Sequence, residues 1–312
     1  MVDISASIVK ELRDKTGAGM MDCKKALLEC GASVDNATDW LRKKGLASAG
    51  KKTGRIASEG VVSIAVDGNK AVIIELNAET DFVAKNEKFQ ALARSLLSIA
   101  LKNNVTDLDS LLTTKFSDNS DKTVQEEIMG HIATIGENIS LRRLEVLSIA
   151  SGVIGSYVHN AVSDSMGKIG VLVSLESDVS NEIMKSLAKQ ISMHIAAAKP
   201  ESLSVEQLDQ NIIEREKAIF SEQAIASGKP ESVVEKMVEG RIRKFCEEVV
   251  LLEQSYAIDG KTKISQMISD AAKQVGADIT VTGFVRYALG EGIEKQESNF
   301  AAEVVSMVQP SS

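Results

Sequence analysis

Apolar positions at the start of the chain recur at helical steps. Ile4, Ile8 and Leu12 fall four apart and make one stripe. The run "TGAG" at 16–19 interrupts the pattern, and Met21 and Leu28 resume it. Gly31 stands where a helix would end on a left-handed residue. Ala37, Trp40 and Leu41 give a third stripe, closed by Gly45. Three short helices are therefore predicted over 1–45, with a thin core in which Trp40 is the largest member. Such a bundle offers a docking face rather than an enzyme pocket. From residue 60 the pattern switches: "GVVSIAV" and "KAVIIELNA" are rich in β-branched residues and are separated by "DGN", a hairpin signal. Phe89, Leu92, Leu96 and Leu97 then mark a helix reaching Leu101. Residues 103–122 read as polar and turn-rich, 123–135 as a helix, and "ISLRRLEVL" as a strand.

The same order then returns. "VIGSYVH" and "KIGVLVSLES" form a second hairpin-like pair around a loop at 160–168, and a helix follows over 181–198. Later, "ADITVTGFVRYALG" at 277–290 reads as a strand. Two similar α+β units in tandem are expected, an internal repeat at coarse resolution. Residues 203–255 interrupt the second unit. Val205, Leu208, Ile212 and Ile219 predict one long helix, "SGKP" at 227–230 a turn, and Val234, Val238, Ile242, Phe245, Val249 and Leu252 the return helix. An antiparallel, coiled-coil-like hairpin is expected, suited to self-association or partner contact because it buries little of itself.

A strand-to-helix junction pattern occurs as "ETDFVA" at 79–84, "ESDVSN" at 176–181 and "ESNFAA" at 297–302. Thr80, Ser177 or Ser298 is expected to accept a hydrogen bond from a free amide at the helix start. Asp81, Asp178 or Asn299 then falls in the first turn, where an acceptor suits the helix dipole. Phe82, Val179 or Phe300 would fold back on the next turn. On spacing alone, this helix-start device is the better reading of all three copies. The first copy differs in its continuation, because Val83, Ala84, Lys85 and Asn86 precede the stripe that begins at Phe89. Residues 80–86 thus read as a separate turn, on which an exposed Phe82 would be a binding hot spot.

Composition narrows the classes. The chain has 312 residues, 44% of them hydrophobic, which is enough for two or three domains. A formal net charge of -8 argues against general nucleic-acid binding, which demands a basic face. Cys23, Cys30 and Cys246 are sparse and odd in number, which fits a reducing cytoplasm. Without clustered histidines, Cys23 and Cys30 read as small buried residues rather than metal ligands. The start "MVDISASIVKEL" has no signal-peptide apolar region, and no apolar run approaches membrane-spanning length. A cytoplasmic location is expected. Residues 42–55, "RKKGLASAGKKTGR", carry six basic residues and read as a linker. Gly45, Gly50 and Lys51 approach the spacing of a phosphate-binding loop, but Lys52 replaces the needed Ser or Thr and a helix precedes it, so nucleotide binding is rejected. His131, His159 and His194 are scattered, with no triad or metal spacing; no enzyme and no cofactor are expected.

"TDFVAKN" at 80–86 and "LRDKTGAGMMDCKKAL" at 12–27 closely resemble the bacterial elongation factor Ts family. So do "GENISLRR" at 136–143, "GSYVH" at 155–159, "SGKPESVVEKMVEGRIRKF" at 227–245 and "TGFVRYALGEGIEK" at 282–295. The resemblance covers essentially the whole chain in order. It implies an α+β fold: an N-terminal three-helix ubiquitin-associated-like domain with a basic linker (1–54), a first core subdomain (55–144), a second (145–202 and 256–296), both with antiparallel sheets, an inserted antiparallel coiled-coil hairpin (203–255) and a C-terminal helix (297–312). It also implies a guanine-nucleotide exchange factor, not an enzyme, whose partner is elongation factor Tu in its GDP-bound and nucleotide-free forms. No nucleotide, metal or cofactor of its own is implied. By the resemblance, Asp81 and Phe82, flanked by Thr80 and Val83, enter the partner near its magnesium site. Arg13, Met20, Met21 and Lys24 match contacts to the GTPase domain, and His159 matches a residue facing the distal β-barrel. Without the family, His159 reads as an ordinary strand-end histidine. The rival readings are a non-catalytic adaptor or scaffold and an acid–base enzyme built on Asp81 and His159. A homodimer through the 203–255 hairpin is the further expectation. The 159–170 loop is longer than the family pattern leads one to expect.

Overall fold

The structure, a computed structural model, describes residues 4–226, 228 and 230–294. Helix α1 (Ala6–Thr16) starts on Ser5, whose hydroxyl accepts from the Ile8 amide. Helix α2 (Met20–Glu29) follows the "TGAG" break, and α3 (Val34–Lys52) starts on Ser33. Leu12, Cys23, Ala26, Leu27 and Ala37 are fully covered and form the bundle core. Trp40 sits only partly buried at its edge, under the Lys44 ammonium. Burial pushes the Cys23 thiol up from its ordinary value.

Strands β1 (Glu59–Asp67) and β2 (Lys70–Ala78) pair with Asp67 opposite Lys70, leaving Gly68 and Asn69 as the two-residue loop. Gly68 takes φ 53, the left-handed value such a loop needs. Helix α4 (Asp81–Ala84) is a single turn, and α5 (Glu87–Lys102) starts afresh on Asn86, whose side chain accepts from the Lys88 amide at 2.9 Å. The polar stretch expected to be turns contains α6 (Leu108–Thr113) and a small hairpin, β3 (Lys115–Ser117) with β4 (Ser120–Thr123). Helix α7 (Val124–Ile135) opens on a capping box between Thr123 and Glu126. Strand β5 (Ile139–Ser148) returns to pair with β2. Phe89, Leu92, Leu96 and Ile132 of the helices pack on Val61, Val72, Ile74 and Leu76 of the sheet.

The expected linker at 42–55 is corrected here, because α3 continues through it to Lys52. Its second half lies on α7. A Cβ added at Gly45 would stand 2.9 Å from the Cβ of Ala133, and Ala49 is wholly buried in the core of the first unit. Gly45 and Ala49 are too small to mark an apolar stripe, so the contact leaves no periodic signal.

The second unit runs β6 (Gly152–His159), β7 (Met166–Gly167), β8 (Ile169–Glu176), α8 (Glu182–Ala198), α9 (Gln210–Ala226), α10 (Glu231–Val249), α11 (Ile264–Val275) and β9 (Thr280–Ala288). The sheet orders are β5-β2-β1-β7 and β6-β8-β9, antiparallel throughout. In both, the last strand pairs with the second strand of the hairpin, so the coarse repeat is a topological one. The two sheets pack face to face rather than merely in tandem. Val62, Ile64, Ala71 and Ile73 of the first meet Ile154, Leu172 and Tyr287 of the second. Helices α8 and α11 cover the outer face of the second sheet. The result is four layers, helix on sheet on sheet on helix. Strand β2 is covered on both faces, so its residues are buried without a break from Ala71 to Ala78, the polar Glu75 and Asn77 included. A Cβ at Gly170 would approach within 2.6 Å of Val62, so the sheets need that glycine to meet. The long 160–168 loop is not idle: it contains β7, which extends the first sheet beside β1.

In the insertion, the helix expected from Val205 begins at Gln210, after one tight turn over Val205–Gln207. Ile213 and Ala224 of α9 and Val234 and Cys246 of α10 are buried, Ile213 and Cys246 in one apolar cluster, whereas Ile219, on the predicted stripe, is exposed. At its base Leu252 N donates to Leu203 O, and His194 is buried with Gln254 on one ring nitrogen and the Ala257 amide on the other. The helix expected for 297–312, with the third junction copy, lies outside the described residues. Among the described residues no helix is long and apolar enough to cross a membrane.

The α3–α7 contact predicts opposite signs for two like substitutions. In a helix interior, Gly→Ala ordinarily stabilises by about 0.5–1 kcal/mol. Gly50 has open space around it, so Gly50→Ala should raise the melting temperature. Gly45→Ala should lower it, because neither helix backbone can yield easily to the added methyl; overpacking of this kind costs about 1–3 kcal/mol. Thermal unfolding followed by circular dichroism distinguishes the two, and a stabilised Gly45→Ala would refute the close contact.

Candidate functional site

The turn at 80–84 projects from the end of β2. Phe82 is 78% exposed, whereas its neighbours Val83 and Ala84 are 7% and 4% exposed and belong to the core of the first unit. Of the four residues expected at the tip, Val83 therefore faces inward, as the anchor of the turn. The turn closes on itself through Lys85 N to Phe82 O at 3.2 Å and Asn86 N to Val83 O at 2.9 Å. Asp81 is exposed and pairs with Lys85 at 3.0 Å, and the same ammonium lies 5.9 Å from the centre of the Phe82 ring. The hydrogen bond from Lys85 holds the Asp81 carboxyl below its ordinary value, with a smaller pull from Lys168. Lys168 belongs to the second unit, and its amide donates to His159 O at 3.0 Å. The corner of the second unit that carries His159 thus lies within electrostatic reach of Asp81.

The expected helix-start role of Thr80 is corrected. Its side chain makes no capping bond to α4. Instead its hydroxyl donates to Glu137 Oε1 at 2.8 Å and its amide to Glu137 Oε2 at 3.0 Å. The second junction copy differs again: α8 begins only at Glu182, capped by Asn181, so Ser177 and Asp178 precede the helix instead of opening it. One sequence pattern serves two different local structures, because a distant carboxylate takes the hydroxyl in the first copy and a near amide does so in the second.

Glu79, Glu137 and Asn138 complete the site, and no expectation from the sequence includes them as site residues. The Asn138 amide donates to Glu79 Oε1 at 2.6 Å, and the buried Asn138 side chain donates to the carbonyls of Thr53 and Arg55. Arg55 also pairs with Glu79 at 3.5 Å. The "GEN" that ends α7 was the available signal: a glycine in the left-handed region followed by two polar residues before a strand. Arg13, Met20, Met21 and Lys24 are exposed on the N-terminal bundle, Met21 at 77%. Among the described residues no hydrogen bond or ion pair ties these four to the 80–84 turn. His159 is exposed at the end of β6, with Tyr157 Oη 3.1 Å from its Nδ1. A groove of about 640 Å³ lies between α3 and α7, and none of residues 80–84 lines it. The site is a protrusion, an exposed ring beside a carboxylate on a fixed base, and its chemistry is that of contact.

A family model described as "Elongation factor TS" matches residues 79–291. Elongation factor Ts of Sphingopyxis alaskensis is 52% identical over 306 residues, covering 98% of this chain and 99% of that protein. Elongation factor Ts of Rickettsia bellii is 51% identical over 309 residues, covering 99% of each. That of Rhodospirillum rubrum is 50% identical over 309 residues, 99% of this chain and 100% of its own length.

Lys85 sets the charge beside the exposed ring, and this is measurable. The Asp81 carboxyl, followed by carbon NMR, is expected to titrate below the ordinary value of about 3.9. In Lys85→Ala its midpoint should rise toward that value. A midpoint that does not move would remove Lys85 as the cause.

Proposed function

The chain belongs to the elongation factor Ts family, and we propose that it acts in translation elongation as a guanine-nucleotide exchange factor for elongation factor Tu. On this reading it binds the GDP form of that GTPase in the cytoplasm, inserts Asp81 and Phe82 near the magnesium site, and holds the nucleotide-free form. Loss of magnesium and a disturbed phosphate loop then release GDP. Arg13, Met20, Met21 and Lys24 dock on the GTPase domain, and His159 faces the distal β-barrel. No bond is made or broken, so the factor is not an enzyme in the ordinary sense and needs no cofactor or nucleotide of its own. The N-terminal residues serve as a ubiquitin-associated-like docking domain, and 203–255 as a coiled-coil arm.

The observation that carries this reading is the exposure of Phe82 on a turn whose neighbours are buried. A large ring held out in water by an ordered backbone is the form a wedge takes. Binding is reciprocal: if the factor weakens GDP by some ratio, GDP weakens the factor by the same ratio. Burying one Phe yields about 1.5–3 kcal/mol, or one to two tenfold steps. Phe82 alone cannot supply full exchange, so loss of magnesium must contribute. The exposed Met20 and Met21 also suit a plain adaptor, which would bind a partner without speeding release.

Phe82→Ala should slow the release of labelled GDP from elongation factor Tu in stopped flow by about ten- to a hundredfold. It should weaken binding to the nucleotide-free partner by a comparable factor and binding to the GDP form much less. Unchanged release at saturating factor would sink the wedge and favour the adaptor.

The homodimer is proposed to form through the exposed apolar residues of the arm, Ile219, Ile225 and Val233. Ile219→Glu combined with Ile225→Glu should halve the mass seen by light scattering. A wild-type chain that is monomeric, or a variant of unchanged mass, rejects that interface.

A further inference from the structure

We propose that Glu137 is a positioning residue for Phe82: its carboxylate fixes the angle at which the 80–84 turn leaves β2, and through it the reach of the ring. This rests on the wedge reading and deepens it.

The geometry begins with the register of the sheet. Ala78, the last residue of β2, pairs with Ile139, the first of β5. The next residues outward, Glu79 and Thr80 on one side and Asn138 and Glu137 on the other, therefore face each other across the end of the sheet. Each side offers a carboxylate to the other side's amide. Glu137 takes the Thr80 amide at 3.0 Å and the Thr80 hydroxyl at 2.8 Å; Glu79 takes the Asn138 amide at 2.6 Å. The pair is a clasp that extends the sheet by side chains where the backbone ladder has ended. Charge-assisted hydrogen bonds of this length are the strong kind. Asn138 then ties the clasp to the end of α3 through the carbonyls of Thr53 and Arg55, at 3.3 and 2.7 Å.

The turn needs this support from outside. Helix α4 has only four residues, too few for intrinsic stability. Thr80, which would ordinarily cap it, has given its hydroxyl to Glu137. Besides the bonds that close the turn on itself, it is anchored to the rest of the fold on both sides. Val83 and Ala84 pin its far side into the core, and Glu137 pins its near side. Without the second, residues 80–82 can pivot about Val83, and Phe82 is the residue that a pivot moves most. Glu137 sits at the junction of α7 and β5, half-buried, and acts on Phe82 through Thr80.

The test uses the full chain and elongation factor Tu loaded with labelled GDP. Glu137→Ala should lower the maximal rate of catalysed release by about tenfold, equivalent to about 1.4 kcal/mol on the barrier. The factor concentration giving half-maximal rate should change less than twofold, because the docking surfaces are untouched. Glu137→Gln should recover most of the rate: its amide oxygen still accepts from the Thr80 amide, and the Thr80 hydroxyl can turn to accept from the amide nitrogen. Thr80→Val, which keeps the backbone donor and loses the hydroxyl, should fall between the two. A readout independent of the partner is amide hydrogen exchange, which should quicken over 79–84 in Glu137→Ala and leave α5 unchanged. Combined with Phe82→Ala, Glu137→Ala should add little, since both act through one ring. If Phe82→Ala itself leaves release unchanged, the wedge reading fails and the positioning role fails with it. If Phe82→Ala slows release while Glu137→Ala and Thr80→Val do not, the positioning role alone is overturned. A general loss of folding in Glu137→Ala would show in its melting curve, and Thr80→Val then decides the question.

Discussion

A carboxylate with no exposure at all, that of Glu75 in β2, fastens the two halves of the core. It accepts from Arg142 Nη1 at 3.1 Å, Arg143 Nε at 2.6 Å, Asn77 Nδ2 at 3.0 Å and the Gly290 amide at 2.9 Å. Adjacent residues of a strand point to opposite faces, so Arg142 and Arg143 could not ordinarily both reach one group. The register shift opposite Glu75 and Leu76 leaves Arg142 as an extra residue in β5, and both guanidinium groups turn inward. Each arginine also donates onward to the end of the second unit, Arg142 to Glu291 O and Arg143 to Ala288 O. A buried charge of this kind is tolerable only when fully partnered; removing one partner typically costs about 3–5 kcal/mol. The knot therefore ties β2 and β5 of the first sheet to the segment that ends β9. Only Leu76, Asn77, Ala78 and Glu79 separate it from the 80–84 turn, so the base of the protrusion is set from both units.

What the sequence made legible was local. The hairpin at 67–70, the stripe of α5, the separate turn through Asn86 and the return helix of the arm all follow from near neighbours in the chain. Their signals are loop chemistry and periodicity, which need no distant partner. The features that escaped depend on contacts far along the chain. Gly45 meets Ala133, and a small residue chosen for closeness looks like a helix end. Thr80 meets Glu137, and a hydroxyl taken by a distant carboxylate looks like a cap. Helix α11 is a different case. Ile264, Ile268 and Ala271 recur at steps of four and three, so its signal was present, but it lies among polar residues after an irregular loop. Of the site, the tip residues Asp81 and Phe82 could be singled out; "GEN" before β5 marked Glu137 and Asn138 only as a helix end, and nothing near them in the chain pointed to Thr80 and Glu79 as their partners.

The face-to-face packing of the two sheets explains why an internal repeat did not yield two equivalent sites. Both units end a long buried strand with an acidic residue, a hydroxyl and an aspartate. In the first unit the two residues just before β5, Glu137 and Asn138, reach across to clasp the junction. In the second, among the described residues, the Ser177 hydroxyl accepts from the Val179 amide alone, at 3.4 Å, and Val179 packs partly buried on the core. The same strand end yields a protruding ring in one unit and a covered side chain in the other. The difference lies in what stands opposite, not in the junction itself.

Rigidity at the tip matters more for a wedge than the area of the ring. Ordering one residue's backbone costs about 1–2 kcal/mol. If Thr80 to Ala84 were loose in the free protein and fixed only on contact, the loss would exceed the roughly 1.5–3 kcal/mol gained by burying one Phe. On the proposed wedge reading, a mobile tip would therefore contribute nothing to a preference for one state of the partner. The protein avoids that loss by ordering the turn in advance. Its far side is held by two small apolar residues in the core, and its near side by one carboxylate across the end of the sheet. The exposed ring can favour one state of a partner over another only because its neighbours are already fixed.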